Sequence, residues 1–225
     1  MAKSCILTLP AGDVILDGRK SAFLPESRTL LVGDLHFEKA SFLQMNGHVP
    51  LPSYDTDDTL ARLETLITDY EPKHVAVLGD SFHDEDAGAR LSKPHFERIN
   101  ALARRTPKFT WILGNHDPSI PKGLHGDQQD HLSVDGFLLT HLPTEGSPGE
   151  VNICGHLHPK LRFKIRRRSF SKPCFASADN RLILPSFGTF TGGLYADHPA
   201  IASELSGRPS FHVADDGEIF KIGRR

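Results

Sequence analysis

The sequence predicts an α/β sandwich with mixed sheets. Three observations carry that expectation. Short, continuous apolar runs alternate with stretches of helical periodicity through the first half of the chain; the final third breaks into hairpin-like pairs of runs; and no linker, repeat or low-complexity tract divides the 225 residues. Strands alternating with helices favour parallel pairing and hairpins favour antiparallel pairing, so both occur in one fold. A chain of this length buries one sizeable core, and a single domain over residues 1–225 is expected.

The elements follow in order. Cys5 to Leu9 and Asp13 to Leu16 are short β-like runs separated by Pro10 and Gly12. Thr29 to Val32 (TLLV) is too short and too continuous for a helix face and reads as a buried strand. From Asp55 to Tyr70, Leu60, Leu63, Ile67 and Tyr70 recur at helical spacing. An acidic first turn there complements the positive end of the helix dipole. His74 to Leu78 (HVAVL) is a second buried strand, and Phe96, Ile99 and Leu102 mark a second helix entered through Ser92 and Pro94. Phe109 to Leu113, Gly136 to Thr140 and Val151 to Cys154 complete the strand series. Beyond a basic run, Asp179-Asn180 before RLIL, and Asp216-Gly217 between FHV and EIFKI, are hairpin signals. The loop around Thr189 to Pro199 shows no readable element.

Composition excludes more than it names. Hydrophobic content of 38% and charged content of 24% are ordinary for a globular protein. A formal charge of -2 argues against a chain that coats itself in nucleic acid, so a polyanion must meet a local patch. No apolar stretch approaches the length that spans a bilayer, and the start, MAKSCILTLPAGD, lacks the pattern of a signal peptide. Cys5, Cys154 and Cys174 are an odd number at unpatterned spacing and read as reduced thiols, Cys154 as a small buried hydrophobe. A cytoplasmic protein with no membrane partner is expected.

Five strand ends carry the chemistry. TLLV runs into Gly33-Asp34-Leu35-His36, HVAVL into Gly79-Asp80-Ser81-Phe82-His83-Asp84, and Phe109 to Leu113 into Gly114-Asn115-His116-Asp117. Gly136 to Thr140 runs into His141, and Val151 to Cys154 into Gly155-His156-Leu157-His158. In open α/β sheets the carboxyl ends of strands converge on a crevice where ligands bind. If these tips stay extended, Asp34 with His36 and His156 with His158 each present a pair to one side. Taken singly, each tip has a bland reading as a capped turn or a structural histidine; all five in this order do not. Carboxylate, imidazole and amide donors without thiolate favour Mn, Fe or Zn. Asp34, His36, Asp80, Asn115, His141, His156 and His158 are too many donors for one ion, and a bridging Asp80 would give four to each of two. Two such cations roughly 3.5–4 Å apart form a clamp for displacement at phosphorus.

This order of motifs resembles the calcineurin-like metallophosphoesterases. The resemblance implies a sandwich of two mixed β-sheets flanked by helices and two divalent metal ions, manganese favoured with iron or zinc as alternatives. It implies Asp34, His36 and His158 on one metal, Asn115, His141 and His156 on the other, and Asp80 between them. It also implies that His116 protonates the leaving oxygen or stabilises phosphoryl charge, with Asp117 as its orienting partner. The flanks LPESRTLLVGDLHFEKAS, GHLHPKLRF and KPCFASADNRLILPSFGTFTGG resemble one branch, the ligase-associated DNA-damage-response endonucleases (PdeM-like). That branch implies DNA as substrate and a DNA ligase and a helicase as partners. One departure matters. Phosphoprotein phosphatases of the superfamily carry an arginine after the bridging Asp and another after the Asn-His motif; here those places read Ser81-Phe82-His83-Asp84 and Pro118-Ser119-Ile120. Lacking both tilts the expectation towards a diester, whose single charge needs less help. His83 either replaces one such contact or hydrogen-bonds nearby backbone.

The basic run alternates charge and apolar side chain. Read as one strand, Lys160, Arg162, Lys164, Arg166 and Arg168 form one face and Leu161, Phe163 and Ile165 the other. Charges on an edge strand deter aggregation. Starting two residues after His158, the same charges can follow a phosphate backbone; Phe163 and Phe170 are expected to pack rather than stack on bases. The leading expectation is therefore a metal-dependent phosphodiesterase acting on DNA or another nucleic acid by in-line attack of a metal-bound hydroxide. A small-molecule nucleotide or phosphomonoester hydrolase is the alternative, and a non-catalytic repair scaffold the third.

Overall fold

The computed structural model describes residues 3–47 and 54–222. The chain opens with an antiparallel meander of β1 (Ser4–Leu9), β2 (Gly12–Asp17), β3 (Ser21–Leu24) and β4 (Thr29–Val32). Helices α1 (Lys39–Met45) and α2 (Asp55–Tyr70) then return it to β5 (His74–Leu78), parallel to β4. A short α3 (Ala87–Arg90) and α4 (Lys93–Ala103) lead to β6 (Lys108–Ile112), parallel to β5, with β7 (Asp127–Gln129) as a further parallel strand. These strands form one sheet in chain order, β1 to β7.

The second sheet takes the rest of the chain. Its strands are β8 (His131–Val134), β9 (Phe137–Thr140), β10 (Val151–Cys154), β11 (Lys160–Ile165), β12 (Arg168–Ala178), β13 (Arg181–Ile183), β14 (Ser210–Asp215) and β15 (Glu218–Ile222), with α5 (Pro199–Ala202) between β13 and β14. The order is β15-β14-β12-β13-β10-β9-β8; β11 lies off this path, paired with β12, and Lys160 at its start is bridged to Tyr195. β9, β10 and β13 run parallel and their neighbours antiparallel, so both sheets are mixed, as expected.

Burial on both faces explains the continuous apolar runs. Between the sheets, Leu31, Ala76, Leu78 and Ile112 pack with Phe137, Leu139, Ile153, Phe175 and Leu182. The alternate residues of the same strands, Leu30, Val32, Val75, Val77 and Trp111, meet α2 and α4 through Leu60, Leu63, Leu66, Ile99 and Leu102. On the far side of the second sheet, Cys174, Ile183, Phe211 and Val213 pack with Ile201 and Leu205. The helix starts also follow their sequence signals. Asp55, Asp57 and Asp58 fill the first turn of α2, and Ser92 Oγ accepts the His95 N–H at 3.3 Å to cap α4.

The basic run departs from expectation. β11 ends at Ile165, the chain reverses through Arg166 (φ 46°) and Arg167 (φ 71°), and β12 begins at Arg168. Ile165 pairs with Arg168 across the hairpin. Lys160, Arg162, Lys164, Arg166 and Arg168 are therefore not one face of one strand: Arg166 lies in a turn, and Arg168 on the returning strand. Two central residues at positive φ are the pattern of a type I′ hairpin turn, normally served by Asn-Gly, so the turn carried no residue signal. The apolar side is buried only at the hairpin's base, through Leu161, while Ile165 is 52% exposed. Phe163 stacks on Phe170 at 5.7 Å and meets Phe220 edge-on at 6.0 Å, so both phenylalanines pack. Six short elements gave no readable periodicity in the sequence: β3, α1, α3, β7, β8, and α5 at the end of the opaque loop. No described helix is long and apolar enough to cross a membrane.

Candidate metal centre

The tips of β4, β5, β6, β9 and β10 meet at one end of the sandwich. Asp34, His36 and His158 form one group, and Asp80, His141 and His156 another; within each, one potential ligand atom per residue lies within 4.8 Å of the others. Asn115 joins the second group, with Oδ1 2.9 Å from His141 Nε2. Asp80 faces both: Oδ1 is 3.3 Å from His141 Nε2, and Oδ2 is 3.9 Å from His36 Nε2. All seven expected side chains are thus gathered, with the Asp80 carboxylate between the groups.

The reason they gather differs from the expected one. The tips are not extended, because Asp34, His36, Asp80, His156 and His158 all have φ between 44° and 68°. Spacing of two then no longer dictates a shared face: Asp34 and His36 still meet in one group, whereas His156 and His158 turn to different groups. Left-handed backbone at non-glycine residues costs about 1–3 kcal/mol each and persists where surrounding structure enforces it. Here the enforcement is visible. Asp34 N–H donates to the Gly79 carbonyl at 3.1 Å and His36 N–H to the Asp80 carbonyl at 2.9 Å. His156 N–H donates to the Asp34 carboxylate, 3.1 Å from Oδ1. Two glycines make the approach possible: a Cβ on Gly79 would lie 2.4 Å from the His141 ring, and one on Gly114 would lie 2.2 Å from Asp80 Oδ1.

The polar atoms fit a bound cation. His141 Nδ1 donates to the Leu78 carbonyl at 3.1 Å, which leaves Nε2 as a lone pair aimed at two oxygens, Asn115 Oδ1 and Asp80 Oδ1. Acceptors crowded together need positive charge among them. His36 Nε2 is buried with no hydrogen-bond partner among the described residues, and His158 Nε2 is buried 3.0 Å from Asp34 Oδ1 without an aligned hydrogen bond. Burial, helped by His158, Lys39, His83 and His116, pulls the His36 pKa far below its ordinary value, and burial with His141 beside it lowers that of His156. Neutral imidazoles are the metal-binding form. Oxygen and imidazole donors without thiolate suit manganese, iron or zinc.

His116 and Asp117 divide differently from the expected pair. The His116 Nδ1–H donates to the His83 carbonyl at 2.7 Å, which directs Nε2 into the site, 3.9 Å from Asp80 Oδ2. Asp117 has no hydrogen bond to that ring. Its Oδ2 accepts the Ser81 and Phe82 N–H groups at 2.7 and 3.1 Å, and its Oδ1 accepts the Gly114 N–H at 3.0 Å. It therefore ties the Asp80 loop to the Asn115 loop and does not orient His116. Burial, with Asp80 adding to it, pushes the Asp117 pKa up to about 7 against those three donors. The His83 ring sits against His36, Nδ1 to Nδ1 at 3.4 Å, and stacks on His116 at 5.5 Å. Burial lowers its pKa to about 4.

Of the basic run, Lys160 lines the same cleft as His158. The Arg162 guanidinium lies 4.0 Å above the Tyr195 ring, while Lys164 and Arg166 project to solvent on the hairpin. The sequence reading missed a second support. Ser186 Oγ–H donates to the Asp34 carbonyl at 2.9 Å, Gly188 N–H to the same oxygen at 3.0 Å, and Phe187 N–H to the Gly33 carbonyl at 2.9 Å. Most of these bonds are backbone to backbone and leave no mark on residue types; only the flank SFGTF pointed to the segment.

With this geometry in view, comparison with known proteins is informative. The family described as calcineurin-like phosphoesterase matches residues 27–173, well over half of the chain. Among solved structures, the crystal structure of Pseudomonas putida nuclease MPE is similar, at 26% identity and a TM-score of 0.77, covering 97% of this chain and all (100%) of that one. Yfce, a phosphoesterase from E. coli, is a more distant likeness, at 16% identity, a TM-score of 0.42, and coverage of 84% of this chain and 88% of that one. No curated protein sequence matches. Five histidine- and carboxylate-bearing loops in the family's order, on its two mixed sheets, agree with the matched segment: the chain belongs to the calcineurin-like phosphoesterases and is a metal-dependent phosphoesterase.

Proposed function

We propose that the protein is a binuclear metal-dependent phosphodiesterase acting on nucleic acid, DNA foremost, in a repair setting alongside a DNA ligase and a helicase. The observation that carries the binuclear reading is the Asp80 carboxylate, one oxygen towards each ligand group. Asp34, His36 and His158 would hold one ion and Asn115, His141 and His156 the other, manganese favoured by the donor chemistry. Divalent cations held there supply Lewis acidity, withdrawing charge from phosphoryl oxygens and making water a competent nucleophile near neutral pH.

The chain's own residues do the rest. Water adds to phosphorus opposite the leaving oxygen, and the bond from phosphorus to that oxygen breaks. His116, its Nδ1–H committed to the His83 carbonyl, acts with Nε2 also protonated and gives that proton to the departing alkoxide. The attacking water releases a proton to solvent, from which the ring is reprotonated. Asp117 holds the loops of Asp80 and Asn115 in register. Ser81-Phe82-His83-Asp84 and Pro118-Ser119-Ile120 stand where the phosphoprotein phosphatases of the superfamily carry arginines, which favours a diester. The similar Pseudomonas putida protein is a nuclease, which favours a polynucleotide over a small ester. Lys160 beside His158, with Lys164 and Arg166 on the hairpin, supplies positive charge in an otherwise acidic chain.

A second reading, hydrolysis of a free nucleotide, draws on a cleft of about 600 Å³ beside Asn115 and His141, where Leu113, Pro118 and Leu138 form an apolar wall. A panel of linear, nicked and circular DNA, RNA, free nucleotides and a chromogenic diester, assayed with Mn, Mg and Zn, separates the two. Metal-dependent cleavage of polynucleotide that weakens steeply with salt is expected; turnover of nucleotides alone, indifferent to salt, would reverse the choice.

A further inference from the structure

A second cleft, of about 500 Å³, begins at His158 and Lys160 and extends to Lys20, which the reading above leaves without a role. Its charge is opposite to that of the first. Asp130, Glu145 and Glu150 line the cleft beside Asn115, with no lysine or arginine, whereas the cleft beside His158 is lined by Arg19, Lys20, Arg62, Lys160 and Lys172 against Asp58, Asp215 and Asp216, so its cations outnumber its carboxylates. Three of these cations are already committed. Arg19 pairs with Asp17 and Asp69, Lys172 with Asp215 at 2.7 Å, and Arg62 with Asp58 at 3.0 Å. Lys20 and Lys160 have no carboxylate partner among the described residues.

Lys20 is the more telling of the two. The tight turn between β2 and β3 sets it at φ 70°, at the wall of the cleft. Burial, with the Arg62 guanidinium next, lowers its pKa to about 8. Asp58 is the one carboxylate acting on it, and Asp58 already holds Arg62 and accepts the Thr189 hydroxyl at 2.6 Å. A half-desolvated ammonium beside a guanidinium, with their shared counter-ion taken, leaves surplus positive charge that an anion would neutralise. Thr189 and Ser186 place hydroxyls in the same cleft, and the Ser186–Gly188 segment is the one bonded to the Asp34 turn. An anion at Lys20 would therefore be held in fixed relation to the metal centre.

We propose that this cleft is a phosphate subsite: Lys20 and Lys160 bind a backbone phosphate of a polynucleotide strand whose neighbouring phosphodiester lies at the metal centre, so the strand leaves past His158 and away from the acidic cleft. This rests on the nucleic-acid reading above. The test compares Lys20→Gln and Lys20→Arg with wild type on a short oligonucleotide and on bis(p-nitrophenyl) phosphate. Lys20→Gln should raise KM for the oligonucleotide about tenfold more than for the small diester. It should also lower the salt slope of kcat/KM by about 0.7–0.9, and Lys20→Arg should restore both. Wild-type protein gives an independent reading: acetic anhydride labelling of Lys20, followed by peptide mass mapping, should slow when anisotropy shows the protein saturated with oligonucleotide. Equal KM and slope in Lys20→Gln, or labelling that bound oligonucleotide does not slow, overturns the subsite and leaves the nuclease reading standing. Should Lys20→Gln not fold, the labelling decides alone. A wild type that hydrolyses the small diester but no polynucleotide overturns both.

Discussion

His116 shows how one hydrogen bond can set a chemical role. A carbonyl can only accept, so the His83 oxygen fixes the His116 proton on Nδ1 and leaves Nε2 to exchange one with the substrate. His116 belongs to neither ligand group, and its removal should spare metal binding. His116→Ala is expected to lower turnover at least ~100-fold, with metal content by atomic absorption unchanged. Full turnover in the variant would take His116 out of the chemistry. Asp117 illustrates the reverse case. A carboxylate next to a catalytic histidine invites assignment as its partner, yet its two oxygens are occupied by three backbone N–H groups, and its work is to hold two loops together.

Among the elements, the β11–β12 hairpin has local chemistry inconsistent with its shape. A turn with both central residues at positive φ suits Asn-Gly, and here it holds Arg166 and Arg167. Exposed, strained and cationic, the tip fits a surface kept for a polyanion rather than for stability. Replacing both, Arg166→Asn with Arg167→Gly, should raise unfolding stability by ~1 kcal/mol while weakening oligonucleotide binding and flattening its salt dependence. Calorimetry and anisotropy titrations read the two effects separately. A variant that gains stability and binds as well as wild type would leave the hairpin with edge protection alone.

At the scale of the whole molecule, the candidate ligands come from both halves of the sandwich. Asp34, His36, Asp80 and Asn115 follow strands of the first sheet, and His141, His156 and His158 follow strands of the second. Each group mixes the two. Cations bound there would cross-link the sheets in the folded state and find no such site in the unfolded chain. Saturating Mn should therefore raise the melting temperature of EDTA-stripped protein by roughly 5–10 °C, and Asp80→Asn should remove most of the increment. A melting temperature indifferent to divalent ions would argue against a site built across the sheets.

Much of this was readable from residue order. TLLV, HVAVL and the periodicity of Leu60, Leu63 and Ile67 determined the strands and helices, because burial on two faces or on one stripe leaves a direct imprint on composition. The tips after those strands determined the donor set, since Asp, Asn and His are chemically distinctive wherever they fall. Spacing did not tell which donor joins which group; the family resemblance implied the two sets, and the tertiary structure gathers them that way. His156 and His158 separate because left-handed backbone, enforced by bonds to distant loops, replaces the extended tip that their spacing implied. The hairpin at Arg166, the anchoring of Asp117 and the cationic cleft at Lys20 share that origin. Each depends on main-chain geometry or on charges brought together from remote segments, and neither is encoded in the identity of neighbouring residues.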